Sequence, residues 1–202
     1  MKKLIVLIAV LAVVPLAFAD TFTLTNYVVA ANTSGTGLTV NTQNVAVPGD
    51  PWSTFNLNPG DSATFNLFQI WTTETTVNQD DTFAQPIGVT FAFNPPASGG
   101  YVGGNTDGIS LFGIVQFGTV IWNGPAVVDL AGGGQYTFTL SNEIFNPGFF
   151  GLDGGQHDGA TVQATLDFTK ANPATSVPEP ASMLLLGTGL AGIAGMVRRR
   201  KA

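Results

Sequence analysis

Thr161-Val162-Gln163-Ala164-Thr165-Leu166-Asp167-Phe168 alternates without a break between apolar and polar side chains. Side chains of an extended chain point to opposite faces in turn, so Val162, Ala164, Leu166 and Phe168 share a dry face and the residues between them a wet one. Residues 135–141 follow the same rule, with Tyr136, Phe138 and Leu140 inward and Thr137 and Thr139 outward. Ile87, Val89, Phe91 and Phe93 form a third set, closed by Asn94-Pro95-Pro96. A fourth covers 21–28, with Phe22, Leu24 and Val28 expected on one side. No stretch between Asp20 and Val177 keeps the i, i+3, i+4, i+7 spacing of an amphipathic helix.

Two stretches lose phase. In 62–71 the apolar set runs Ala63, Phe65, Leu67 and then moves to Phe68 and Ile70. Either a β-bulge resets the register there or both faces become buried. Residues 109–122 are apolar on both faces and read as one central strand, or as two joined at Gly118-Thr119. Residues 127–130 and 135–141 read as a hairpin closed by Gly132-Gly133-Gly134. The Gly-rich stretches 98–108 and 148–159 read as long loops. Eight to ten short strands and no helix can close around one core only as an all-β domain, a single β-sandwich or jelly-roll. No strand order follows from the pattern.

The two ends of the chain are different material. Met1-Lys2-Lys3 precedes an apolar run over 4–18, and Ala17-Phe18-Ala19 supplies a small-x-small cleavage pattern. Residues 1–19 therefore read as a secretory signal peptide, with the mature chain starting at Asp20. At the other end stands Val177-Pro178-Glu179-Pro180, then an uncharged apolar segment over 181–197, then Arg198-Arg199-Arg200-Lys201. Seventeen helical residues reach roughly 25 Å, enough to span a locally thinned bilayer while the basic residues snorkel to the headgroups. Basic residues stay cytoplasmic, which puts 20–177 on the far side of the membrane. The expected organisation is a signal peptide over 1–19, the β-sandwich over 20–170, a linker over 171–177 and a tail over 178–202 carrying a transmembrane helix over 181–197.

That tail resembles the sorting tail of PEP-CTERM proteins, with the Pro-Glu-Pro element, the Gly- and Leu-rich helix and the basic cluster in order. The resemblance covers about the last 25 residues. It implies that Pro178, Glu179 and Pro180, with Arg198, Arg199 and Arg200, are the processing signal for an exosortase, a membrane-embedded enzyme. It also implies delivery to the cell surface or extracellular matrix of a Gram-negative bacterium, in association with exopolysaccharide or biofilm. Within the helix Gly187, Ala191 and Gly195 are four apart, a small-residue face on which another membrane helix could pack. The string Gly187-Thr188-Gly189-Leu190-Ala191-Gly192 mimics a dinucleotide fingerprint but has no strand before it.

Composition then narrows what the domain does. Between Asp20 and Val177 there is one basic residue, Lys170, against twelve carboxylates, a formal balance of −11. Nucleic-acid binding needs cations to neutralise phosphates, so no nucleic-acid partner is expected. There is no Cys, hence no disulfide and no thiolate metal site. Calcium is the one cofactor the acidic loops suggest, at 79–81, 104–108 and 152–159, with Asp107, Asp153 and Asp158 as candidate ligands. Ordinary turn chemistry explains the same residues. His157 is the only histidine, too little for a zinc site or a supported triad. Gly108-Ile109-Ser110-Leu111-Phe112 lacks the closing glycine of a nucleophile elbow. Glycoside hydrolysis needs two facing carboxylates, and Glu74 and Glu143 are available, though strand spacing does not show that they face each other. Trp71 and Trp122 sit in apolar runs and read as core, whereas Trp52, between Pro51 and Ser53, is the aromatic expected at the surface and the candidate sugar contact. The leading expectation is a non-enzymatic surface or matrix protein. A carbohydrate-binding module and a secreted hydrolase are the alternatives.

Overall fold

The alternating segments become eleven strands in the computed structural model, which describes residues 19–94, 98–130 and 133–170. The expected signal peptide up to residue 18, the linker and the sorting tail lie outside the described residues. In chain order the strands are β1 (Asp20–Ala30), β2 (Asn41–Asn44), β3 (Thr54–Leu57), β4 (Ser62–Trp71), β5 (Gln85–Asn94) and β6 (Ser98–Leu111). They continue with β7 (Val115–Trp122), β8 (Ala126–Asp129), β9 (Gln135–Leu140), β10 (Glu143–Phe149) and β11 (Ala160–Lys170). A six-stranded sheet has the order β10-β7-β6-β5-β1-β3, and a five-stranded sheet the order β2-β4-β11-β9-β8. Every pairing is antiparallel. Among the described residues there is no α-helix, only three 3-10 turns.

The dry faces of the two sheets meet in an aromatic core. Phe22 of β1 packs edge-on against Tyr136 of β9 and Phe168 of β11, at 5.5 and 5.2 Å between ring centroids. Phe138 of β9 stacks on Phe91 of β5 at 4.1 Å and meets Phe93 at 5.9 Å. The alternating sets expected from 87–93, 135–141 and 161–168 are all buried. Such edge-to-face and offset contacts add to the burial term, which is itself the main stabilising force.

Bulges decide the exceptions. Against β11 the register of β4 shifts between Phe68 and Asn66, leaving Leu67 as the extra residue, so Leu67 and Phe68 are both buried. The freed Leu67 carbonyl accepts the amides of Val45 and Ala46 at 2.9 and 3.0 Å and the Tyr27 hydroxyl at 2.7 Å. Burial pushes the Tyr27 phenol up to about 12. In β1 the register against β5 shifts between Leu24 and Asn26. The strand changes face there, so Tyr27 turns inward and Val28, expected inside with Phe22 and Leu24, stands outside at 57 % exposure.

The stretch 98–108 is no loop but most of β6, a central strand. Its glycines make room for neighbours. A Cβ at Gly99 would lie 2.3 Å from the Phe91 carbonyl oxygen, and one at Gly104 2.6 Å from that of Ile121. Gly118 likewise sits inside β7, under the ring of Phe145, where a Cβ would come within 2.3 Å. The break in 109–122 therefore falls earlier than Gly118, at Phe112-Gly113-Ile114, with φ of 54° at Phe112 and 69° at Gly113. The hairpin β8–β9 closes as expected, Asp129 opposite Gln135.

Sheet edges are blunt. β2, β3 and β8 are four residues each, and β10 is broken by a register shift at Asn146-Pro147. Short or bulged edges and a proline that cannot donate resist the addition of a foreign strand. The registers also fix the ends. Asp20 lies opposite Leu57, and the Phe168 carbonyl accepts the Gly60 amide at 2.7 Å, so the described chain enters and leaves at one end of the sheets. The 112–114 turn and Phe149, opposite Val115, lie at the other.

Candidate functional site

Asp50 caps the 3-10 turn Pro51–Ser53, its carboxylate accepting the Trp52 amide at 3.1 Å. The Ser53 hydroxyl donates to the carbonyls of Val47 and Asp50 at 2.7 and 2.9 Å. Proline at the first turn position presets φ, and these bonds consume the local donors. With Ser53 buried below, the indole of Trp52 is held outside at 88 % exposure. It borders a depression of about 240 Å³ whose wall includes Val47, Asp50, Ser53, Phe65 and Asn66. Phe65 is backed by Phe55, stacked at 4.8 Å. An exposed ring beside a carboxylate and a carboxamide offers a stacking face and hydrogen-bonding groups together. The other two tryptophans differ. Trp122 is nearly buried, donates Nε1–H to the Ser141 carbonyl at 2.9 Å and meets Phe68 edge-on at 6.3 Å. Trp71, read as core, is half-buried at the end of β4.

The acidic candidates are dispersed. Asp107 lies within β6, its carboxylate accepting the hydroxyl of Thr119 on β7. Asp153 and Asp158 lie in the connection from β10 to β11. That connection is organised by Asn146, fully buried with φ of 52°. Its Oδ1 accepts the Thr72 amide at 2.8 Å, and its Nδ2 donates to the carbonyls of Asp153 and Gly155 at 2.6 and 2.7 Å. Two backbone oxygens of the proposed calcium loop are thus already engaged by an amide. His157 is almost wholly exposed, 3.2 Å from Asp158. Among the described residues no three His, Cys, Asp or Glu side chains come together as a metal cluster.

Glu74 and Glu143 are engaged by different partners. Glu143 opens β10 and accepts the Ser141 hydroxyl at 2.5 Å. Glu74, beyond β4, accepts the amide and hydroxyl of Thr39 at 2.8 and 2.5 Å. Instead, Glu74 comes together with the 79–81 loop. Asp80 accepts the Gly37 amide at 3.1 Å, and Asp81 accepts the Asn78 amide at 2.8 Å. Asp81 is buried beside Glu74 and Asp80, and desolvation first, with those two like charges added, holds its carboxyl above the usual range. Folding therefore favours protonated Asp81. Its stabilising contribution is complete below the ordinary carboxylate range and is lost as pH rises through its folded value. Asp81→Asn keeps an acceptor for the Asn78 amide and adds a donor. Thermal unfolding is expected to show the variant more stable than the parent at pH 7, with the gap closing at about pH 3. A gap of the same size at both pH values would contradict this.

No curated protein and no solved structure matches the chain. The residues expected to direct processing, Pro178, Glu179, Pro180, Arg198, Arg199 and Arg200, and Ala17 of the expected signal peptide lie outside the described residues, while Ala19 immediately precedes β1. No helix among the described residues is long and apolar enough to cross a membrane. One family match is found, at the end of the chain where Val177-Pro178-Glu179-Pro180 stands. Residues 176–201 are a PEP-CTERM protein-sorting motif, which marks an exported, membrane-anchored precursor processed by an exosortase.

Proposed function

We propose that the mature domain is a non-enzymatic β-sandwich of the cell surface or extracellular matrix that associates with exopolysaccharide, with Trp52 as its sugar contact. The single observation that supports this reading is the 88 % exposed indole, fixed by a capped turn beside a depression carrying Asp50 and Asn66. A tryptophan ordinarily hides most of its surface, and holding one outside forgoes a large burial term unless a ligand covers it. The CH face of a pyranose ring fits the indole, and its hydroxyls fit the carboxylate and carboxamide. Export by the signal peptide and release at Pro178-Glu179-Pro180 would deliver this surface to the matrix. A domain with one basic residue and twelve carboxylates would select neutral over anionic polymers.

The test is retention of the processed protein on the insoluble extracellular polysaccharide of the cells that make it. Trp52→Ala is expected to release the protein into the medium, a loss of binding of about tenfold or more for one stacking ring. Thermal unfolding should be unchanged, since the side chain is exposed. Equal retention of parent and variant would sink the sugar contact.

A further inference from the structure

A second exposed apolar surface lies at the end of the six-stranded sheet away from Asp20 and Lys170. Phe112 in the β6–β7 turn is 97 % exposed, and Phe149 and Phe150 at the end of β10 are 78 % and 77 % exposed. Leu111, Ile114 and Ile144 add exposures of 48 %, 47 % and 59 %. The registers put them together. Leu111 and Phe149 both lie opposite Val115, and Ile144 lies opposite Thr119, so all three face outward on the same side of the sheet. The Phe150 amide donates to the Ile114 carbonyl at 2.6 Å, tying the two turns to each other. Phe112 and Phe150 have φ of 54° and 60°, a region that costs a bulky residue of order 1–3 kcal/mol. The backbone is held in a costly conformation at two of the three exposed rings.

We infer that this surface is a self-association face, and that its occupant is the same surface on a second copy of the chain. Area and charge argue for it. Three phenylalanines exposed to this degree present roughly 500 Å² of apolar surface, and with the three aliphatic residues the patch approaches the ~800 Å² that each partner contributes to a standard interface. It also exceeds what a monomer ordinarily leaves open. Residues 109–122 and 144–152 contain no Asp, Glu, Lys or Arg, in a domain whose formal balance between Asp20 and Val177 is −11, and the carboxylates that border the patch are Asp107, opposite Thr119 on the same face, and Asp153, beside Gly148. Two such acidic domains repel each other least where carboxylates are sparsest, and a two-fold contact brings that region onto itself. An anionic bilayer is the poorer partner because the same charge repels it. The inference is independent of the sugar contact.

The absence of Cys permits a direct test on the full chain in intact cells. Ile144→Cys marks the rim of the patch, and Gln163→Cys marks the exposed outer face of the other sheet. A bis-maleimide added to cells is expected to convert the first, and not the second, to a species of twice the mass. Adding Phe149→Ser, or Phe112→Ser, should cut that yield more than about tenfold, because each copy then withdraws one ring from the contact. Higher salt should raise the yield from Ile144→Cys by screening the acidic surfaces. No dimer from Ile144→Cys, or a dimer that neither serine substitution diminishes, overturns the inference. So does an Ile144→Cys thiol that gives no dimer and is shielded from maleimide by lipid.

Discussion

Phe138→Ala is expected to lower the unfolding free energy by about 3–5 kcal/mol, the range for removing a large ring from a packed core. Phe138 is fully buried. It stacks on Phe91 at 4.1 Å, meets Phe93 at 5.9 Å and approaches Phe65 at 6.5 Å. Phe91 and Phe93 belong to the six-stranded sheet, Phe65 and Phe138 to the other, so the ring sits where the two sheets touch. Strand backbones at this position are fixed by ladders on both sides and cannot collapse into the void. A domain of ordinary stability, about 5–15 kcal/mol, would lose a large part of it. Equilibrium denaturation should show a lower midpoint with an unchanged slope. Phe138→Leu should recover much of the loss. A cost below about 1 kcal/mol for the alanine variant would mean that the sheets do not close on this ring.

Asn146→Ala should cost about as much, roughly 3–5 kcal/mol, for a different reason. The side chain is buried and makes three hydrogen bonds to backbone, with the Thr72 amide and the carbonyls of Asp153 and Gly155. Alanine leaves those groups without their partner in a dry site, at about 1–3 kcal/mol each where water cannot reach. It also places at φ of 52° a residue that tolerates that region less well than asparagine. Asn146→Gly separates the two terms, since it relieves the backbone and restores no bond. It should remain nearly as destabilised as the alanine variant. Amide exchange should speed up at Gly155, whose amide is bonded to Thr72, and elsewhere in the β10–β11 connection. If glycine recovers full stability, the hydrogen bonds carry nothing and backbone strain alone explains the residue.

Much of this was legible along the chain. The alternating sets of β5, β9 and β11 and the inward Phe22 and Leu24 are where the pattern puts them, and the hairpin at β8–β9 closes on its glycines. Trp52 reads as exposed because it stands between Pro51 and a polar residue beside a turn, with no apolar partner at strand spacing. Asn146 could not be found. An asparagine before a proline is an ordinary turn signal, and its three backbone partners lie 74, 7 and 9 residues away. Neither could the common outward face of Leu111, Ile144 and Phe149, which needs β10 to pair with β7. The one signal was negative, two long uncharged stretches in an acidic chain.

Taken alone, the order of residues determined that the domain is all-β, which side chains of the regular strands turn inward, and that the chain ends in a sorting motif. Those properties are local, since strand parity repeats every two residues and the Pro-Glu-Pro tail is read as a contiguous string. Tertiary structure decided whatever depends on a neighbouring strand. A single extra residue at Thr25 or Leu67 reverses the parity that follows, and only the partner strand reveals it. Glycines at 99 and 104 read as loop, and Gly118 as a possible strand junction, until the carbonyls and rings that crowd them are in place. The carboxylates of Glu74, Asp80 and Asp81, and the outward side chains of Leu111, Ile144 and Phe149, fall on common surfaces because loop packing and sheet pairing bring distant segments together, and local sequence carries no record of that.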